Sequence, residues 1–529
     1  MKSPSILLSI VAAVTMAFGL SNSSAYADCP GDLNNNNVVD GVDLTILTSN
    51  WGGSGSGSGD INGDGSVGGS DLALLLGAWG NCGLSGSLTT QWIATPGTTG
   101  TTPTPPSLTV NGNPFFAKGV CYSPSPWGSD AGWVPYLNFM GDIAWKAIWD
   151  RDLPVMRSGG VNLLRTYNMP YQDYAAGTWV QYDHTDFLDK CWNCGVNPIY
   201  VLFGFGDLNN LATYATGPDG DAARQIAQIA FAATVDKYKD HPAVMGFIVA
   251  NEVNNVNTIA EPTFWSFLNS LCLKVRQLAP DKITVMSVAD DSMNAVTRGN
   301  SQMPNLDVWG INSYRGAINP TNANNFDELW SSFKLQSNKP LLITEWGAPA
   351  STHDTSGALS FTQVVTNGLN TLITGHYQDI VGNAVSTTNN GGNNNPNQNN
   401  WAPVCIGSCY FQWSDELWKS DGDYPTRCQA TVHNAGTAAN LAFPGGWGDE
   451  ECFGLNSITP VASDGVQPAD RPGGPGPVGC ETCLCVPLPA ECPTCLGGPY
   501  NFAEFRPYTA VDLLTPRESW TTLKYLFTH

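Results

Sequence analysis

The chain has 529 residues, with 23 Lys and Arg against 45 Asp and Glu, which gives a formal net charge of −22. This negative charge repels phosphate backbones and anionic lipid surfaces, so we expect no nucleic-acid partner. A hydrophobic fraction of 42% with 18 Trp supplies a large core, which excludes a chain that is disordered throughout.

The first 27 residues have the pattern of a secretory signal peptide. Lys2 precedes an apolar run of about 15 residues, and the small-residue sequence Ala25-Tyr26-Ala27 follows as a cleavage site. The run is shorter than the roughly 20 residues of a spanning helix, so we expect no membrane span, with an N-terminal anchor as the weaker alternative. The pattern predicts a secreted protein, extracellular or attached to a cell surface, with the periplasm as the alternative compartment. Export permits disulfides among the 15 Cys.

Two similar twelve-residue loops follow the predicted signal peptide. DLNNNNVVDGVD begins at Asp32 and DINGDGSVGGSD begins at Asp60, and a short apolar helix pattern follows each. Oxygen-bearing side chains at positions 1, 3, 5 and 12 of each loop are typical of a loop that wraps Ca²⁺. A flexible Asp-, Asn- and Gly-rich tail is the alternative, but a tail would not repeat these residues in register. The predicted calcium ligands are Asp32, Asn34, Asn36, Asp43, Asp60, Asn62, Asp64 and Asp71.

Because of these two loops, residues 28–82 resemble a type I dockerin. This is the paired calcium-loop module that binds a cohesin domain on a scaffold or at a cell surface. The resemblance implies a small all-α module that binds Ca²⁺ and has a cohesin-like or cell-surface partner. That family often has Ser or Thr at loop positions 10 and 11, where this chain has Gly41, Val42, Gly69 and Ser70. Calcium binding is therefore better supported than a standard cohesin partner.

Residues 83–107 are rich in Thr, Pro and Gly and are predicted to be a linker to a domain over residues 108–529. In that domain, apolar runs typical of buried parallel strands alternate with helical patterns, which predicts an α/β fold, a (β/α)8 TIM barrel. An open doubly wound sheet is the alternative, but no G-x-G-x-x-G or phosphate loop is present. The predicted strands are 115–123, 161–168, 197–204, 244–254, 282–290, 306–315, 339–347 and 409–418.

Polar and aromatic residues lie at the C-terminal ends of these strands. Glu252 follows the fourth apolar run and Glu345 the seventh. Because the C-terminal ends of barrel strands form one mouth, we expect the two carboxylates to face each other there. Glycosidic cleavage needs two opposed carboxyl groups, one to protonate the leaving oxygen and one to attack or assist at the sugar carbon. The residues expected to bind substrate at this mouth are Tyr122, Arg165, Asn251, Tyr314, Trp346 and Trp413.

The segments GFIVANEVN and LLITEWGAP resemble the matching strands of clan A of the glycoside hydrolases, which are retaining (β/α)8 enzymes. The resemblance spans roughly residues 108–419 and the last helix. It implies that Glu252 is the acid/base, that Glu345 is the nucleophile and that Asn251 binds the sugar 2-hydroxyl. Retaining chemistry would place the two carboxyl groups about 5 to 5.5 Å apart.

The same resemblance implies roles for three further residues. Arg165 and Tyr314 match positions that hold the nucleophile ionised and oriented, and Trp413 matches the aromatic floor of the subsite nearest the cleaved bond. The alternative roles are a structural ion pair for Arg165 and packing of the barrel top for Tyr122, Tyr314 and Trp413.

Within the clan, FFAKGVCYSP, RDLPVMRSGGVNLLRTYN and the nucleophile strand are most similar to family 72 β-1,3-glucanosyltransferases, with some likeness to families 5 and 2. That family usually has Tyr where this chain has Trp346. We expect a retaining glycoside hydrolase that cleaves a β-linked polysaccharide of the β-glucan or β-mannan class without a catalytic cofactor. A β-1,3-glucan transglycosylase is the alternative enzyme. A non-catalytic carbohydrate-binding protein on a scaffold or cell surface is the alternative of another class.

Two insertions interrupt the predicted barrel. Residues 387–400 are Asn-rich and predicted to be a surface loop. Residues 420–516 are Gly-, Pro- and Cys-rich, and their C-x2-C-x-C-x6-C-x2-C spacing permits a zinc site, although an exported protein favours disulfides. Because this insertion follows the eighth strand, we expect it to lie over the mouth.

Overall fold

The computed structural model of the chain divides into two units, one on each side of the Ser87–Leu88 bond. The predicted signal peptide and Asn-rich insertion lie outside the described residues, as does the Cys-rich insertion except 452–459 and 513–516. No helix in the described part of the chain has the length and apolarity to cross a bilayer. The described residues are 31–34, 38–53, 59–61, 65–77, 80–81, 90–99, 103–124, 143–175, 178–205, 217–253, 263–291, 293–316, 326, 328–353, 359–360, 363–385, 402–416, 452–459 and 513–529.

The first unit contains two short helices, Gly41–Ser49 and Gly69–Gly77, each beginning near the end of one predicted calcium loop. Asp40 caps the first helix, because its side chain accepts a 2.7 Å hydrogen bond from the Val42 amide. Val38–Val39 pairs antiparallel with Gly80–Asn81 and brings the ends of the unit together. The core consists of Val39, Leu47, Val67 and Leu75.

The second unit is a closed barrel of eight parallel strands in chain order, which confirms the predicted (β/α)8 fold. The strands are β1 (Ala117–Cys121), β2 (Leu163–Arg165), β3 (Tyr200–Gly204), β4 (Val244–Asn251), β5 (Ile283–Ala289), β6 (Val308–Asn312), β7 (Leu341–Trp346) and β8 (Cys405–Tyr410). A helix follows each strand: α1 (Ile143–Ser158), α2 (Thr185–Trp192), α3 (Pro218–Tyr238), α4 (Thr263–Leu278), α5 (Asn294–Gly299), α6 (Leu329–Gln336), α7 (Gln363–Gly382) and α8 (Glu518–Thr528).

Successive residues of each barrel strand point to opposite sides. Leu163 and Leu202 belong to a buried cluster that lines the barrel interior. Their neighbours Leu164 and Phe203 belong to a larger cluster that also contains residues of the surrounding helices. The barrel therefore has an inner core, inside the ring of strands, and an outer core, between the strands and the helices. Only a side chain on the inner side of its strand can point into the mouth.

A small antiparallel sheet lies at the N-terminal ends of the strands. It consists of Trp92–Thr95, Ser107–Val110 and Asn113–Pro114. Trp92 is buried, packs edge-to-face on Tyr200 at 4.7 Å, and donates its amide to the carbonyl of Asp281 at 2.8 Å. The linker predicted over 83–107 is therefore wrong for residues 92–95. The segment has no apolar period because it is attached by hydrogen bonds, such as that of the Thr90 hydroxyl to the Pro242 carbonyl at 2.8 Å, and by the ring of Trp92.

Strand β8 begins four residues before the predicted strand 409–418 and ends at Tyr410. The prediction followed the aromatic residues after Cys409, but the strand pairs through the small residues before it. Gly407 has φ +127°, and a Cβ there would lie 2.2 Å from the carbonyl oxygen of Ala117. Only glycine permits this close approach of β8 to β1.

Candidate active site and calcium loops

Glu345 and Glu252 both lie at the C-terminal end of the barrel. Glu345 is the fifth of the six residues of β7 and is only 6% exposed. Glu252 follows the last residue of β4 and is partly exposed. The two glutamates therefore differ in their access to solvent.

Three donors converge on the carboxylate of Glu345. The Tyr314 hydroxyl donates to Oε2 at 2.6 Å, and the Tyr167 hydroxyl donates to Oε1 at 2.8 Å. Arg165 Nη1 also donates to Oε1 and forms an ion pair. Hydrogen bonds that involve charged groups are short and directional, so these three donors fix the orientation of the Glu345 carboxylate.

Arg165 is fully buried at the end of β2, with the Tyr167 ring 4.6 Å from its Cζ. Burial disfavours the guanidinium charge, but Tyr167 and Glu345 outweigh it and hold the pKa of Arg165 well above its ordinary value. Burial raises the pKa of Tyr167 well above its usual range, although Arg165 opposes that shift. Arg165 is therefore a permanent cation, and Tyr167 is a neutral phenol that can donate.

Glu252 has a left-handed backbone, with φ 51°, a conformation that bulky residues rarely adopt. Its amide donates to the carbonyl of Ser287 at 2.9 Å, which holds the conformation in place. Asn312 Nδ2 donates to Glu252 Oε1 at 2.9 Å. Backbone strain of this kind is concentrated at functional sites, where the surrounding structure maintains it.

Asn312, the last residue of β6, connects the surroundings of the two glutamates. Its Nδ2 donates to Asn251 Oδ1 at 3.2 Å as well as to Glu252. Its Oδ1 accepts from the hydroxyls of Ser287 and Thr344, both at 2.8 Å. It also accepts from Arg165 Nη1 at 3.3 Å. One polar network thus connects the two glutamates. It holds Glu345 among a guanidinium and two phenols, and it holds the more accessible Glu252 beside the Asn312 amide.

Of the predicted substrate-binding residues, the structure brings Arg165, Asn251 and Tyr314 together with the two glutamates. Asn251 Oδ1 accepts from Arg165 Nη2 at 2.5 Å, so the amide is fixed relative to the guanidinium. Tyr314 is half-buried and contacts Glu345 directly.

The structure places the other three predicted substrate contacts, Tyr122, Trp346 and Trp413, in the outer core. Tyr122 is buried and donates its hydroxyl to Asp152 of α1 at 3.0 Å. Trp346 is fully buried and stacks on His376 of α7, with centroids 5.8 Å apart.

Trp413 is 1% exposed and packs edge-to-face on Trp520 of α8 at 4.9 Å. The prediction that these three residues contact substrate is therefore corrected to packing. Tyr122 follows the inward-pointing Cys121, and Trp346 follows the inward-pointing Glu345. Because side chains alternate along a strand, Tyr122 and Trp346 point outward.

Sequence reasoning missed Tyr167 and Asn312. Tyr167 lies two residues after Arg165, so the period of two places both side chains on the same side of the chain. Asn312 ends β6 as Asn251 ends β4. Strand alternation could have indicated Tyr167, but the partners of Asn312 come from four strands and have no local signal.

Two acidic residues near strand ends form ion pairs. Asp290 accepts from Ser313 Oγ at 2.7 Å and from Arg315 through both carboxylate oxygens, so it holds both neighbours of Tyr314. Asp415 is bound by Arg517 at 2.6 and 2.7 Å. Burial raises the pKa of Asp415, and the Arg517 charge opposes that rise.

In the first unit, the acidic residue at position 12 of each loop turns back onto the start of its loop. Asp43 Oδ1 accepts from the Leu33 amide at 2.8 Å, and Asp71 Oδ1 accepts from the Ile61 amide at 2.7 Å. Both carboxylates are buried. Gly65, at position 6 of the second loop, has φ +89°, the turn that such a loop requires.

The carboxylate and amide oxygens of the side chains in these loops fit a hard cation such as Ca²⁺. Three of the eight predicted ligands, Asn36, Asn62 and Asp64, lie outside the described residues. Among the residues that are described, no three His, Cys, Asp or Glu side chains form a group that could hold a metal ion. In the barrel unit, Cys121, Cys191, Cys194, Cys272, Cys405 and Cys409 are free thiols.

Comparison with known families and solved structures gives two kinds of match. Residues 30–78 match the family described as Dockerin type I domain. Among solved structures, a GH2 beta-galacturonidase from Eisenbergiella tayi has a TM-score of 0.45 at 13% identity, covering 83% of this chain and 54% of that one. The Faecalibacterium prausnitzii beta-glucuronidase has a TM-score of 0.42 at 17% identity, covering 66% and 47%.

Curated relatives are 1,3-beta-glucanosyltransferases. The enzyme GAS5 of Saccharomyces cerevisiae is 26% identical over 232 residues, 40% of this chain and 42% of its own length. The Arthroderma benhamiae protein is 24% identical over 45% of this chain and 42% of its own. The Schizosaccharomyces pombe protein is 23% identical over 46% and 45%. The chain therefore spans less than half of the length of these relatives. The chain carries a dockerin type I domain near its N-terminus, and its resemblance to β-1,3-glucanosyltransferases is confirmed.

Proposed function

We propose that the barrel is a retaining glycoside hydrolase that cleaves a β-linked glucan by double displacement. The observation that carries the proposal is the contrast between its two glutamates. Glu345 is buried under Arg165, Tyr167 and Tyr314, whereas Glu252 is partly exposed beside the Asn312 amide. A retaining enzyme needs this division between a fixed anion and a group that exchanges protons.

In the proposed mechanism, Glu345 attacks the anomeric carbon while Glu252 gives its proton to the leaving glycosidic oxygen. The bond to the leaving sugar breaks, and a covalent glycosyl-enzyme forms at Glu345. Glu252, now a carboxylate, then takes a proton from an incoming hydroxyl group, whose oxygen displaces Glu345. Asn251 accepts from Arg165 and Asn312 through Oδ1, which makes Nδ2 the atom to donate to the sugar 2-hydroxyl.

A second candidate function differs only in the incoming hydroxyl. If water attacks the glycosyl-enzyme, the result is hydrolysis; if a sugar hydroxyl attacks, the result is transfer. The names of the curated relatives favour transfer onto β-1,3-glucan as the alternative. The proposed roles of Glu345 and Glu252 are the same in both reactions.

The test uses the full chain with β-1,3-glucan, β-mannan and xylan oligosaccharides, followed by sizing of the products. Shorter products alone would support hydrolysis, and products longer than the substrate would support transfer. Glu345→Gln should abolish both. The matched control is Glu328→Gln, which changes an exposed glutamate at the start of α6. Turnover by Glu345→Gln equal to that of the unaltered protein would contradict the nucleophile assignment, and binding without turnover by the unaltered protein would favour the non-catalytic alternative.

We further propose that residues 28–82 bind two Ca²⁺ ions and attach the protein to a cohesin-like partner outside the cell. The dockerin match and the equivalent contacts of Asp43 and Asp71 support this role. Residues 1–27 would direct export, and 108–529 would form the catalytic domain. Disulfides within the Cys-rich insertion stay a prediction.

A further inference from the structure

An antiparallel hairpin lies between β2 and α2, formed by strands Gln172–Ala175 and Thr178–Gln181. Residues that are directly opposite in an antiparallel pair point to the same face. Gln172 is opposite Gln181, and Tyr174 is opposite Trp179. One face of the hairpin therefore carries two aromatic rings flanked by two amides and no charge.

This aromatic face is open to solvent. Tyr174 is 42% exposed and Trp179 is 37% exposed, and their ring centroids are 5.0 Å apart. Of the described residues in the barrel unit, the only other exposed aromatic side chain is Tyr525, on α8. Contiguous exposed apolar surface, unlike single exposed residues, often marks a binding site.

The hairpin is attached firmly at its base. The Tyr171 amide donates to Thr234 Oγ1 of α3 at 2.9 Å, and the Tyr182 amide donates to the Tyr171 carbonyl at 2.7 Å. Lys237 lies over the Tyr171 ring at 5.3 Å. A fixed ribbon presents its rings with little loss of conformational entropy on binding.

The chain that leads into the hairpin begins at the same end of the barrel as the two glutamates. The Met169 amide donates to the carbonyl of Gly204, the last residue of β3, at 3.0 Å. Gln172 comes three residues later, so it is within about 11 Å of that strand end. The chain between β2 and the hairpin also contains Tyr167, which contacts Glu345.

We propose that the aromatic face of this hairpin is an outlying sugar subsite that binds pyranose rings of a glucan chain whose cleaved bond lies at the barrel mouth. Sugar rings have apolar C–H faces and hydroxyl edges, which suit aromatic rings flanked by amides. The absence of charge on this face suits a neutral polymer. The proposal rests on the proposed function for the identity of the polymer.

The test measures binding separately from turnover. In the full chain carrying Glu345→Gln, a double variant Tyr174→Ala with Trp179→Ala is compared with Tyr525→Ala by electrophoresis through gels that contain a soluble β-1,3-glucan. We expect the double variant to bind the polymer about tenfold more weakly and Tyr525→Ala to bind it unchanged. The conservative variant Tyr174→Phe with Trp179→Phe should retain binding, which separates lost stacking from misfolding.

With Glu345 restored, the double variant should lose turnover of the polymer by a similar factor and keep turnover of a short oligosaccharide that occupies the mouth alone. Polymer binding by the double variant equal to that of its parent would overturn the subsite. A change in molecular mass from dimer to monomer in the double variant would assign the face to a second copy of the chain and would also overturn it. Absence of turnover in the unaltered protein, with polymer binding lost in the double variant, would reject the proposed function but support the subsite.

Discussion

Tyr314 donates a 2.6 Å hydrogen bond to Oε2 of Glu345, the carboxylate oxygen opposite the one that Arg165 and Tyr167 contact. The nucleophile proposed here is thus held from both sides. The Tyr314 ring packs edge-to-face on Phe411 and Phe453, at 6.1 and 5.8 Å, so its position does not depend on the hydroxyl.

Tyr314→Phe should lower kcat/KM by about 10- to 100-fold, because a hydrogen bond to a charged group contributes about 1.5–3 kcal/mol. The ring contacts remain, so the free energy of unfolding should change little. Steady-state kinetics on the glucan that gives turnover measures the effect, with Tyr525→Phe as the control. Unchanged kinetics would mean that this hydrogen bond does not assist the reaction.

Asp290 is expected to position Tyr314 through its bonds to Ser313 and Arg315. Asp290→Asn removes the ion pair with Arg315 and should lower kcat by about tenfold with little change in KM. In a Tyr314→Phe background the same substitution should have little further effect, because both changes act on one contact. Additive losses in this double-mutant cycle would show that Asp290 acts independently of Tyr314.

Glu252→Gln should lower kcat/KM on an unactivated glycosidic bond by about 10²- to 10⁴-fold, because the leaving oxygen no longer receives a proton. An aryl glucoside with an acidic phenol as leaving group needs no such proton, so its first cleavage step should stay fast and release a burst of phenol. Glu345→Gln should be inactive on both substrates. Equal losses on both substrates by Glu252→Gln would argue against the acid/base role.

Asp71→Ala should reduce calcium binding by the full chain from two ions to one, since this carboxylate closes the second loop. Equilibrium dialysis measures the stoichiometry. Turnover of a soluble oligosaccharide should stay unchanged, because the substitution lies outside the barrel unit. Asp219→Asn, at an exposed position of α3, is the control and should leave two ions bound. Two ions bound by Asp71→Ala would contradict the ligand assignment.

Lys282 should make the free energy of unfolding depend on pH in the alkaline range. It is buried, and its Nζ donates to the carbonyls of Val244 at 2.9 Å and Thr90 at 3.1 Å. Burial lowers its pKa from 10.5 to about 8, although Asp281 and Asp240 oppose the shift. Between these values the unfolded chain holds a proton that the folded chain has released, so this group's contribution to stability rises with pH.

The rise between about pH 8 and 10.5 should approach about 3 kcal/mol. Urea unfolding of the unaltered protein and of Lys282→Met across this range isolates the effect, because other alkaline groups titrate in both. Lys334→Met, at an exposed position, should behave like the unaltered protein. A difference between the unaltered protein and Lys282→Met that is independent of pH would contradict the prediction.

The sequence predicted the barrel because its strands are continuous apolar runs separated by helical patterns, as in Val244–Asn251, where seven of eight residues are buried. It could not predict the strand Trp92–Thr95, whose attachment depends on the carbonyl of Asp281, far away in the chain. It also misplaced β8, because aromatic residues marked the strand more strongly than the glycine that lets it pair.

The site was predictable to the extent that strand ends are visible in the sequence. Glu252, Glu345 and Arg165 were found because each interrupts or ends an apolar run. Trp346 was misjudged because proximity to a strand end does not specify which way a side chain points. Register within the closed barrel decides that, and one step along the strand moves a residue from the mouth to the outer core.

The side-chain amide of Asn312 must accept hydrogen bonds through its oxygen and donate them through its nitrogen. Its oxygen accepts from hydroxyls and a guanidinium, and its nitrogen donates to Glu252 and Asn251. Aspartate has almost the same shape, but its second oxygen would lie where the nitrogen now is, 2.9 Å from a carboxylate. Deamidation, a chemical change that proteins undergo as they age, would therefore replace the amide donor beside Glu252 with a second carboxyl group at the barrel mouth without any change in the gene.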